Sequence, residues 1–278
     1  MGASIITKPI PRTDESLPVI GLGTWQTFDV GRSESERAAL REVLREFARL
    51  GGRVIDSSPM YGRSESVVGD LAAELKLDST LFVATKVWTS GREAGIRQME
   101  ESFHRLRANR MDLMQIHNLV DWRTHLTTLR EWKKEGRVRY IGVTHYTASA
   151  YEQLARVLES EELDFVQLNY SLAERQAERR LLPLAAERGV AVLVNRPFAQ
   201  AQLFSKVRGK PLPPWAQEIG CASWAQFFLK FVVSHPSVTC AIPATSKVQH
   251  LADNMQAGIG QLADTKIHER MAKYVAEL

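Results

Sequence analysis

Four residues of complementary chemistry recur at an even spacing in the first half of the chain. Asp56, Lys86 and His117 are separated by 30 and 31 residues, and Tyr61 follows Asp56 by five. A tyrosine hydroxyl has an ordinary pKa of about 10, which is high for proton donation at neutral pH. A neighbouring ammonium lowers that pKa, a carboxylate keeps the ammonium charged, and a neutral imidazole hydrogen-bonds a carbonyl oxygen. The set predicts a site that polarises a carbonyl group and protonates the alkoxide formed when hydride arrives.

Each of these residues also has a structural interpretation. Asp56 could cap a turn, Tyr61 could be a turn aromatic, Lys86 could be a solvated strand end, and His117 could be a core histidine bonded to the backbone. Their complementary types and their common spacing favour a shared site.

The elements that would position them alternate along nearly the whole chain. Strands are predicted at Val19–Gly21, Val54–Asp56, Phe82–Lys86, Leu113–His117, Arg139–Val143, Phe165–Asn169, Val190–Asn195 and Thr239–Pro243. Amphipathic helices are predicted at Glu34–Leu50, Glu65–Leu75, Ile96–Leu106, Leu126–Glu135, Ala148–Ser160, Glu178–Arg188, Ser223–Val233 and Lys247–Ala257. Strand–helix alternation indicates an α/β fold with a parallel sheet, and eight repeats favour a closed (β/α)8 TIM barrel forming one domain over residues 1–278. The C-terminal strand ends, which carry Asp56, Lys86 and His117, would then meet on one face.

Three further segments complete the predicted architecture. Asp264–Leu278 is expected to form a C-terminal helix packed outside the barrel, and Ile5–Thr7 to belong to a hairpin covering the barrel floor. Lys206–Trp215, with three prolines, is expected to be an irregular loop. An open dinucleotide-binding sheet is disfavoured because Gln26 stands where the third glycine of a G-x-G-x-x-G motif beginning at Gly21 would lie.

Composition narrows the class of protein. The chain of 278 residues carries a net charge of +4 and is 44% hydrophobic, as is ordinary for a soluble globular protein. Basic and acidic residues are interleaved, which disfavours nucleic-acid binding, and no apolar run is long enough to cross a membrane. No secretory leader is recognisable, which predicts a cytoplasmic protein, although a leader removed beforehand would leave no trace. We expect no metal site from the histidine and cysteine spacing, and a monomer or weak homo-oligomer.

Four motifs resemble those of the aldo-keto reductase family, and the resemblance spans essentially the whole chain. They are Ile20–Trp25 (Ile-Gly-Leu-Gly-Thr-Trp), Asp56–Gly62 (Asp-Ser-Ser-Pro-Met-Tyr-Gly), Ala84–Trp88 (Ala-Thr-Lys-Val-Trp) and Met111–His117 (Met-Asp-Leu-Met-Gln-Ile-His). The resemblance implies an NADP(H)-dependent oxidoreductase that reduces small-molecule aldehydes or ketones to alcohols. In that comparison Tyr61 is the general acid, assisted by Lys86, Asp56 and His117.

The resemblance also implies residues for the nicotinamide end of the cofactor. Gln167 matches the family glutamine that bonds the nicotinamide carboxamide, whereas Thr144 and His145 stand where the family usually has Ser-Asn. Asn195 occupies a strand end where many members stack an aromatic ring, which an asparagine does not do. The complete set for this end is Gly23, Thr24, Trp25, Thr144, His145, Gln167, Asn195, Arg196, Pro197 and Phe198.

A second segment resembles the family's adenosine-end motif. Ala244 and His250 fill positions where members that hold a 2′-phosphate commonly have Lys and Arg. Donors for a phosphate remain at Thr245, Ser246 and Lys247, followed by a helix N-terminus. The set implied by the resemblance is Ile242, Ala244, Thr245, Ser246, Lys247, His250, Asp253 and Asn254.

The expected substrate pocket lies above Tyr61 and is lined by Trp25, Trp88, Asn118 and Trp122. An aromatic cleft with few polar groups suits aldehydes, ketones and aryl carbonyls, and we expect it to be open and broad in specificity.

Two other functions remain compatible with these residues. One is a cofactor-independent lyase or isomerase that uses Tyr61 and His117 for proton transfer, which the departures at His145, Asn195 and Ala244 leave open. The other is a non-catalytic, cofactor-sensing subunit, which would not need the four-residue set.

Overall fold

The computed structural model describes residues 4–278. Its first regular element is an antiparallel hairpin. Its strands are β1 (Thr7–Pro9) and β2 (Ser16–Pro18). Ile10 and Leu17 are buried against the residues inside the central sheet, so the hairpin covers the floor of the barrel, as predicted. Of the segment expected to join this hairpin, Thr7 lies in β1 and the two isoleucines precede it. Residues 1–3 of the expected domain lie outside the described residues.

Eight parallel strands follow, each paired with the next along the chain. They are β3 (Leu22–Gly23), β4 (Val54–Asp56), β5 (Phe82–Val87), β6 (Met111–His117), β7 (Val138–Thr144), β8 (Phe165–Asn169), β9 (Ala191–Asn195) and β10 (Cys240–Ala241). The backbone around Val19–Gly21 closes the cylinder, because the Gly21 amide donates to the Ala241 carbonyl at 2.8 Å and the Ala241 amide to the Val19 carbonyl at 2.9 Å. The predicted (β/α)8 barrel is thereby confirmed. The first regular strand of the barrel begins later than expected because Ile20 forms an isolated bridge to Ala241 instead of a continuous run of pairs.

Helices separate the strands and surround them. They are α1 (Glu34–Arg49), α2 (Ser64–Glu74), α3 (Arg92–Leu106), α4 (Trp122–Lys134), α5 (Tyr151–Ser160), α6 (Leu181–Glu187), α7 (Gln202–Lys206), α8 (Trp224–Ser234), α9 (Val248–Gln256) and α10 (Thr265–Glu277). The predicted C-terminal helix is confirmed as α10, whose Tyr274 ring stacks on Trp224.

Two predicted segments differ in detail. The expected loop Lys206–Trp215 is flanked by short helical turns, since Lys206 ends α7 and Trp215 lies in a 3₁₀ turn, Pro214–Ile219. A five-residue helix spans little more than one turn and cannot show a repeating amphipathic pattern, so the sequence does not reveal it. The starts of the predicted helices at Ala148 and Glu178 are likewise 3₁₀ turns.

Alternation along the strands divides the core into two layers. Outward side chains pack against the helices, and inward side chains such as Phe82, Leu113 and Phe165 fill the barrel. Gly142 is required in this inner layer because a Cβ there would lie 2.6 Å from the Phe165 carbonyl oxygen. Toward the C-terminal ends of β4–β9, here called the barrel mouth, the inward positions become polar.

Within residues 4–278, no helix is long and apolar enough to cross a membrane. The two cysteines, Cys221 and Cys240, are buried free thiols. In the same described range, no three His, Cys, Asp or Glu side chains are grouped so that they could hold a metal ion.

Candidate active site

Strand alternation brings three of the predicted residues together at the barrel mouth. Asp56 is the last residue of β4, Lys86 lies near the end of β5, and His117 is the last residue of β6. Phe82 faces the interior, so Lys86, four residues later, does as well. All three side chains are buried.

The centre of the site is an ion pair removed from water. The Lys86 ammonium donates to Asp56 Oδ2 at 2.6 Å and to the Ser57 carbonyl oxygen at 2.7 Å. The side chains of Lys86 and Asp56 are 0% and 3% exposed. Burial alone would lower the pKa of Lys86, but its interactions with Asp56 and Tyr61 outweigh burial and raise that pKa. The ammonium therefore stays charged.

Tyr61 lies beside this pair on the loop that follows β4. The Lys86 Nζ atom is 5.1 Å from the centre of the Tyr61 ring, and the ring stands edge-on to His117 with 5.9 Å between ring centres. Burial raises the pKa of Tyr61 and the charge of Asp56 raises it further, while the charge of Lys86 acts in the opposite direction. The expected net lowering of this pKa is wrong, because burial outweighs the ammonium. The phenol thus stays protonated at neutral pH and can donate its proton.

His117 is held as a neutral imidazole. Its pKa is lowered to about 2 by burial and by the positive charge of Lys86. The Ser58 hydroxyl lies 3.1 Å from Nδ1, and when it donates to that nitrogen the proton of the ring resides on Nε2. A neutral hydrogen-bonding imidazole was the expectation from the sequence.

Sequence reasoning missed two polar residues that hold this set. Gln115 donates from Nε2 to Asp56 Oδ1 at 3.2 Å, and Ser58 contacts His117. The signal for Gln115 was available, since a residue two before His117 on the same strand shares its inward face.

Three residues predicted to contact the nicotinamide are linked to Asp56 through Gln167. Gln167 donates from Nε2 to Asp56 Oδ1 at 2.9 Å, while its Oε1 accepts from Thr144 Oγ1 at 3.2 Å and from Asn195 Nδ2 at 3.4 Å. The structure therefore brings Thr144, Gln167 and Asn195 into one network with the ion pair.

The loops after β7 and β9 are tied to one another. Arg196 donates to the Tyr146 carbonyl oxygen at 3.1 Å, and its guanidinium lies 4.7 Å from the centre of the Tyr146 ring. The Tyr146 ring stacks on His145. Pro197 is buried, and Phe198 packs against Phe204.

The start and end of the barrel bring the remaining predicted residues together. Gly23 pairs with Ala244, and a Cβ on this glycine would lie 2.7 Å from the Ile242 carbonyl oxygen. Thr24 donates from Oγ1 to the Asp56 carbonyl oxygen at 3.0 Å. Trp25 follows with 42% of its surface exposed.

In the segment predicted to hold the adenosine end of the cofactor, some polar groups are exposed and others are hydrogen-bonded within the protein. Thr245 Oγ1 accepts from the Lys247 amide at 3.1 Å, just before α9 begins. Asp253 is engaged by the start of α8, since its carboxylate accepts from Ser223 Oγ at 2.7 Å and Gln226 Nε2 at 2.6 Å. Asn254 is buried, and the exposed residues of this set are Ala244, Ser246, Lys247 and His250.

The residues predicted to line a substrate pocket differ in their exposure. Trp88 is 42% exposed, and the centre of its ring lies 6.5 Å from that of His117. Asn118 adopts a φ of 53°, in the left-handed region. Trp122 begins α4, half-buried against the core, with the Arg123 guanidinium over its ring.

Comparison with known proteins identifies the family. The model of the aldo/keto reductase family matches residues 19–274. The chain is 30% identical over 251 residues to methylglyoxal reductase YeaE of Escherichia coli K12, covering 87% of this chain and 85% of that protein. It is 28% identical over 239 residues to the NADH-specific methylglyoxal reductase of the same organism, covering 75% and 72%.

Solved structures agree. An aldo/keto reductase from Klebsiella pneumoniae, crystallised with NADP and acetate, superposes with a TM-score of 0.77 at 25% identity, covering 94% of this chain and 92% of that one. Because the family model spans most of the sequence and the fold is shared, this protein belongs to the aldo/keto reductase family.

Proposed function

We propose that the protein reduces aldehyde or ketone groups of small molecules to alcohols with NADP(H), with Tyr61 as the general acid. The observation that carries this proposal is the buried Lys86–Asp56 pair beside the Tyr61 phenol. Two buried charges gain little stability over apolar residues of the same size, so their retention at a barrel mouth favours a catalytic purpose.

Each residue has a distinct part in the proposed reaction. Tyr61 donates its phenolic proton to the developing alkoxide, and Lys86 stabilises the phenolate that remains. Asp56 keeps Lys86 charged and oriented, and His117 donates a hydrogen bond from Nε2 to the carbonyl oxygen. Burial around the set strengthens these electrostatic interactions.

The residues at the mouth fit the nicotinamide end of a dinucleotide. The side-chain nitrogen and oxygen of Asn169 and the Oδ1 atom of Asn195 are buried without a hydrogen-bond partner among residues 4–278. Unsatisfied buried polar atoms are costly, and a polar ligand would relieve that cost. When bound there, the cofactor supplies the hydride.

In the segment predicted to hold the adenosine phosphate, one positively charged side chain supports the choice of NADP(H). Lys247, exposed just before α9, offers a cation beside a helix N-terminus. The Klebsiella relative was crystallised with NADP, whereas one E. coli relative is named as NADH-specific. We therefore expect NADPH to be used in preference to NADH, with Lys247 as the source of the preference.

The substrate class follows from the open aromatic walls. Trp25 and Trp88 both present exposed ring surface, and the Trp88 ring lies near His117, which suits dicarbonyls and aryl aldehydes. Two relatives are named methylglyoxal reductases, so methylglyoxal belongs in the test panel.

The test is NADPH oxidation at neutral pH with methylglyoxal and a series of benzaldehydes, with the alcohol product identified by mass spectrometry. We expect turnover of several members of the panel. NADPH binding by calorimetry with no turnover of any carbonyl would favour a cofactor-sensing subunit. Proton exchange into carbonyl substrates without NADPH binding would favour an isomerase.

A further inference from the structure

The short segment that joins β5 to α3 carries Trp88, and a side chain of α3 holds its backbone. We call this segment the Trp88 loop (residues 88–91). The Trp88 amide donates to Gln98 Oε1 at 2.5 Å, and Gln98 Nε2 donates to the Trp88 carbonyl oxygen at 3.2 Å. The two bonds reach the peptide groups on both sides of the Trp88 Cα atom. Gln98 therefore fixes the direction in which the Trp88 side chain leaves the backbone.

The rest of the Trp88 loop is held from the region of α4. Nε2 of His125, on α4, lies 2.7 Å from the Thr89 carbonyl oxygen. A carbonyl oxygen only accepts, so Nε2 is the donor and carries the proton of the neutral ring. Asp121, just before α4, accepts from the Gly91 amide at 2.7 Å through Oδ2. The backbone of the loop is thus bonded to side chains of both neighbouring helices.

The contact made by His125 is kept despite two destabilising features. The ring is fully buried, and its Nδ1 atom has no hydrogen-bond partner within the described chain, residues 4–278. The ring also requires a glycine in α3, because a Cβ on Gly95 would lie 2.4 Å from His125 Cε1. An unsatisfied buried acceptor and a glycine within a helix both reduce stability. Their presence favours a role for the Thr89 contact other than stabilising the fold.

What the loop orients is the Trp88 ring. This ring is 42% exposed, so the core gives it little packing, and its centre lies 6.5 Å from that of His117. An aromatic wall stacks well on a substrate ring only when its plane is held in place. We infer that Gln98 and His125 are positioning residues for Trp88, whose ring binds the aryl group of aromatic carbonyl substrates. This inference rests on the proposed function and deepens it by separating aryl aldehydes from small dicarbonyls.

Steady-state kinetics with benzaldehyde and methylglyoxal test the inference. In Gln98→Leu, KM for benzaldehyde is expected to rise about three- to tenfold, the range expected for loss of a hydrogen bond. Methylglyoxal has no ring to stack on Trp88, so its KM is expected to stay within about twofold. For both substrates kcat is expected to change by less than about twofold, because Gln98 touches none of the proposed catalytic residues.

A second change distinguishes positioning from a general structural role. Trp88→Ala removes the ring itself and is expected to raise KM for benzaldehyde at least as much as Gln98→Leu. Adding Gln98→Leu to Trp88→Ala is expected to cause no further rise, because the residue that Gln98 orients is already absent.

His125 provides a rescue, and Glu131 provides a matched control. His125→Leu is expected to raise KM for benzaldehyde selectively, and His125→Gln, which keeps an N–H donor at the end of the side chain, to recover part of the loss. Glu131→Gln weakens an exposed ion pair between α4 and α3, formed with Arg92 at 2.7 Å, without touching the backbone of residues 88–91. It is expected to leave both KM values within about twofold of wild type.

Hydrogen exchange of the Trp88 amide, measured without substrate, reports on the loop independently of catalysis. Gln98→Leu is expected to accelerate this exchange, and Glu131→Gln to leave it unchanged. Equal rises in KM for the two carbonyls, or a further rise when Gln98→Leu is added to Trp88→Ala, would overturn the inference and leave the reductase proposal in place. Failure of wild type to reduce either carbonyl with NADPH would overturn the reductase proposal, and the inference with it.

Discussion

The two ends of the barrel carry the same kinds of residues in different arrangements. At the floor, the Tyr140 hydroxyl donates a hydrogen bond to Glu15 at 2.9 Å, and Arg139 forms ion pairs with Glu15 and Asp112. At the mouth, the cation stands between the carboxylate and the phenol instead. Both ends thus combine a tyrosine, a cation and carboxylates.

The difference lies in burial and in what anchors the carboxylate. Asp112 at the floor accepts from the backbone amide of Val83 at 2.8 Å, and its side chain is 16% exposed. Asp56 at the mouth is buried and accepts from the side-chain amides of Gln115 and Gln167. The two ends therefore share residue types, and the proposed catalytic set differs from the ion-pair network at the floor in its burial and in its hydrogen-bond partners.

Tyrosine replacement makes the strongest contrast between the two ends. Tyr61→Phe removes the proposed proton donor, so kcat/KM for NADPH-dependent reduction is expected to fall by about 10²- to 10⁴-fold. Tyr140→Phe deletes the same hydroxyl at the floor and is expected to leave kcat/KM within about twofold, because the proposed general acid lies at the mouth. An unchanged rate in Tyr61→Phe would remove the basis for assigning the mouth as the active site.

Removing the cation at each end compares a buried pair with a partly exposed one. Lys86→Met leaves Asp56 as a buried, unpaired carboxylate, and the free energy of unfolding is expected to drop by about 3–5 kcal/mol. Arg139→Met at the floor is expected to cost about 1 kcal/mol or less, since solvent screens that pair. Urea unfolding at pH 7 measures both, and equal losses would show that burial does not set the two ends apart.

Acid titration adds a further difference between the two ends. The mouth contains His117, whereas the ion-pair network at the floor contains no histidine. Its pKa is lowered to about 2 in the folded protein, against about 6.5 in the unfolded chain. The unfolded state therefore binds more protons between these values, and stability that is present above pH 6.5 is lost as the pH falls.

The expected contribution of His117 is a loss of up to about 1.4 kcal/mol per pH unit below 6.5. Urea unfolding of wild type and His117→Gln between pH 4 and 8 measures it. The variant is expected to show a shallower dependence on pH, and parallel curves would contradict a buried neutral imidazole.

The convergence of Asp56, Lys86 and His117 could be predicted because strand ends one βα repeat apart share a height in a parallel barrel. The raised pKa of Tyr61 could not, since the depth at which a loop side chain is buried is a tertiary property. Gln115 was missed for a different reason. Met114 and Ile116 beside it are apolar and face outward. The strand therefore has the pattern of a hydrophobic run, and one amide within that run does not indicate a functional residue. Only the pairing of Gln115 with Asp56 across the barrel gives it a role.

Gln115 gives the smallest effect and tests whether side-chain amides hold the Asp56 carboxylate. Gln115→Leu removes one hydrogen bond to Asp56 Oδ1, and Gln167 keeps the other, so kcat is expected to fall by about three- to tenfold. KM is expected to change little, because Gln115 is buried and touches Asp56 rather than the open walls at Trp25 and Trp88. Since the two amides share one oxygen, Gln115→Leu combined with Gln167→Leu is expected to cost more than the sum of the single changes. Additive losses would mean that the two amides act independently and that the Lys86 ammonium alone fixes Asp56.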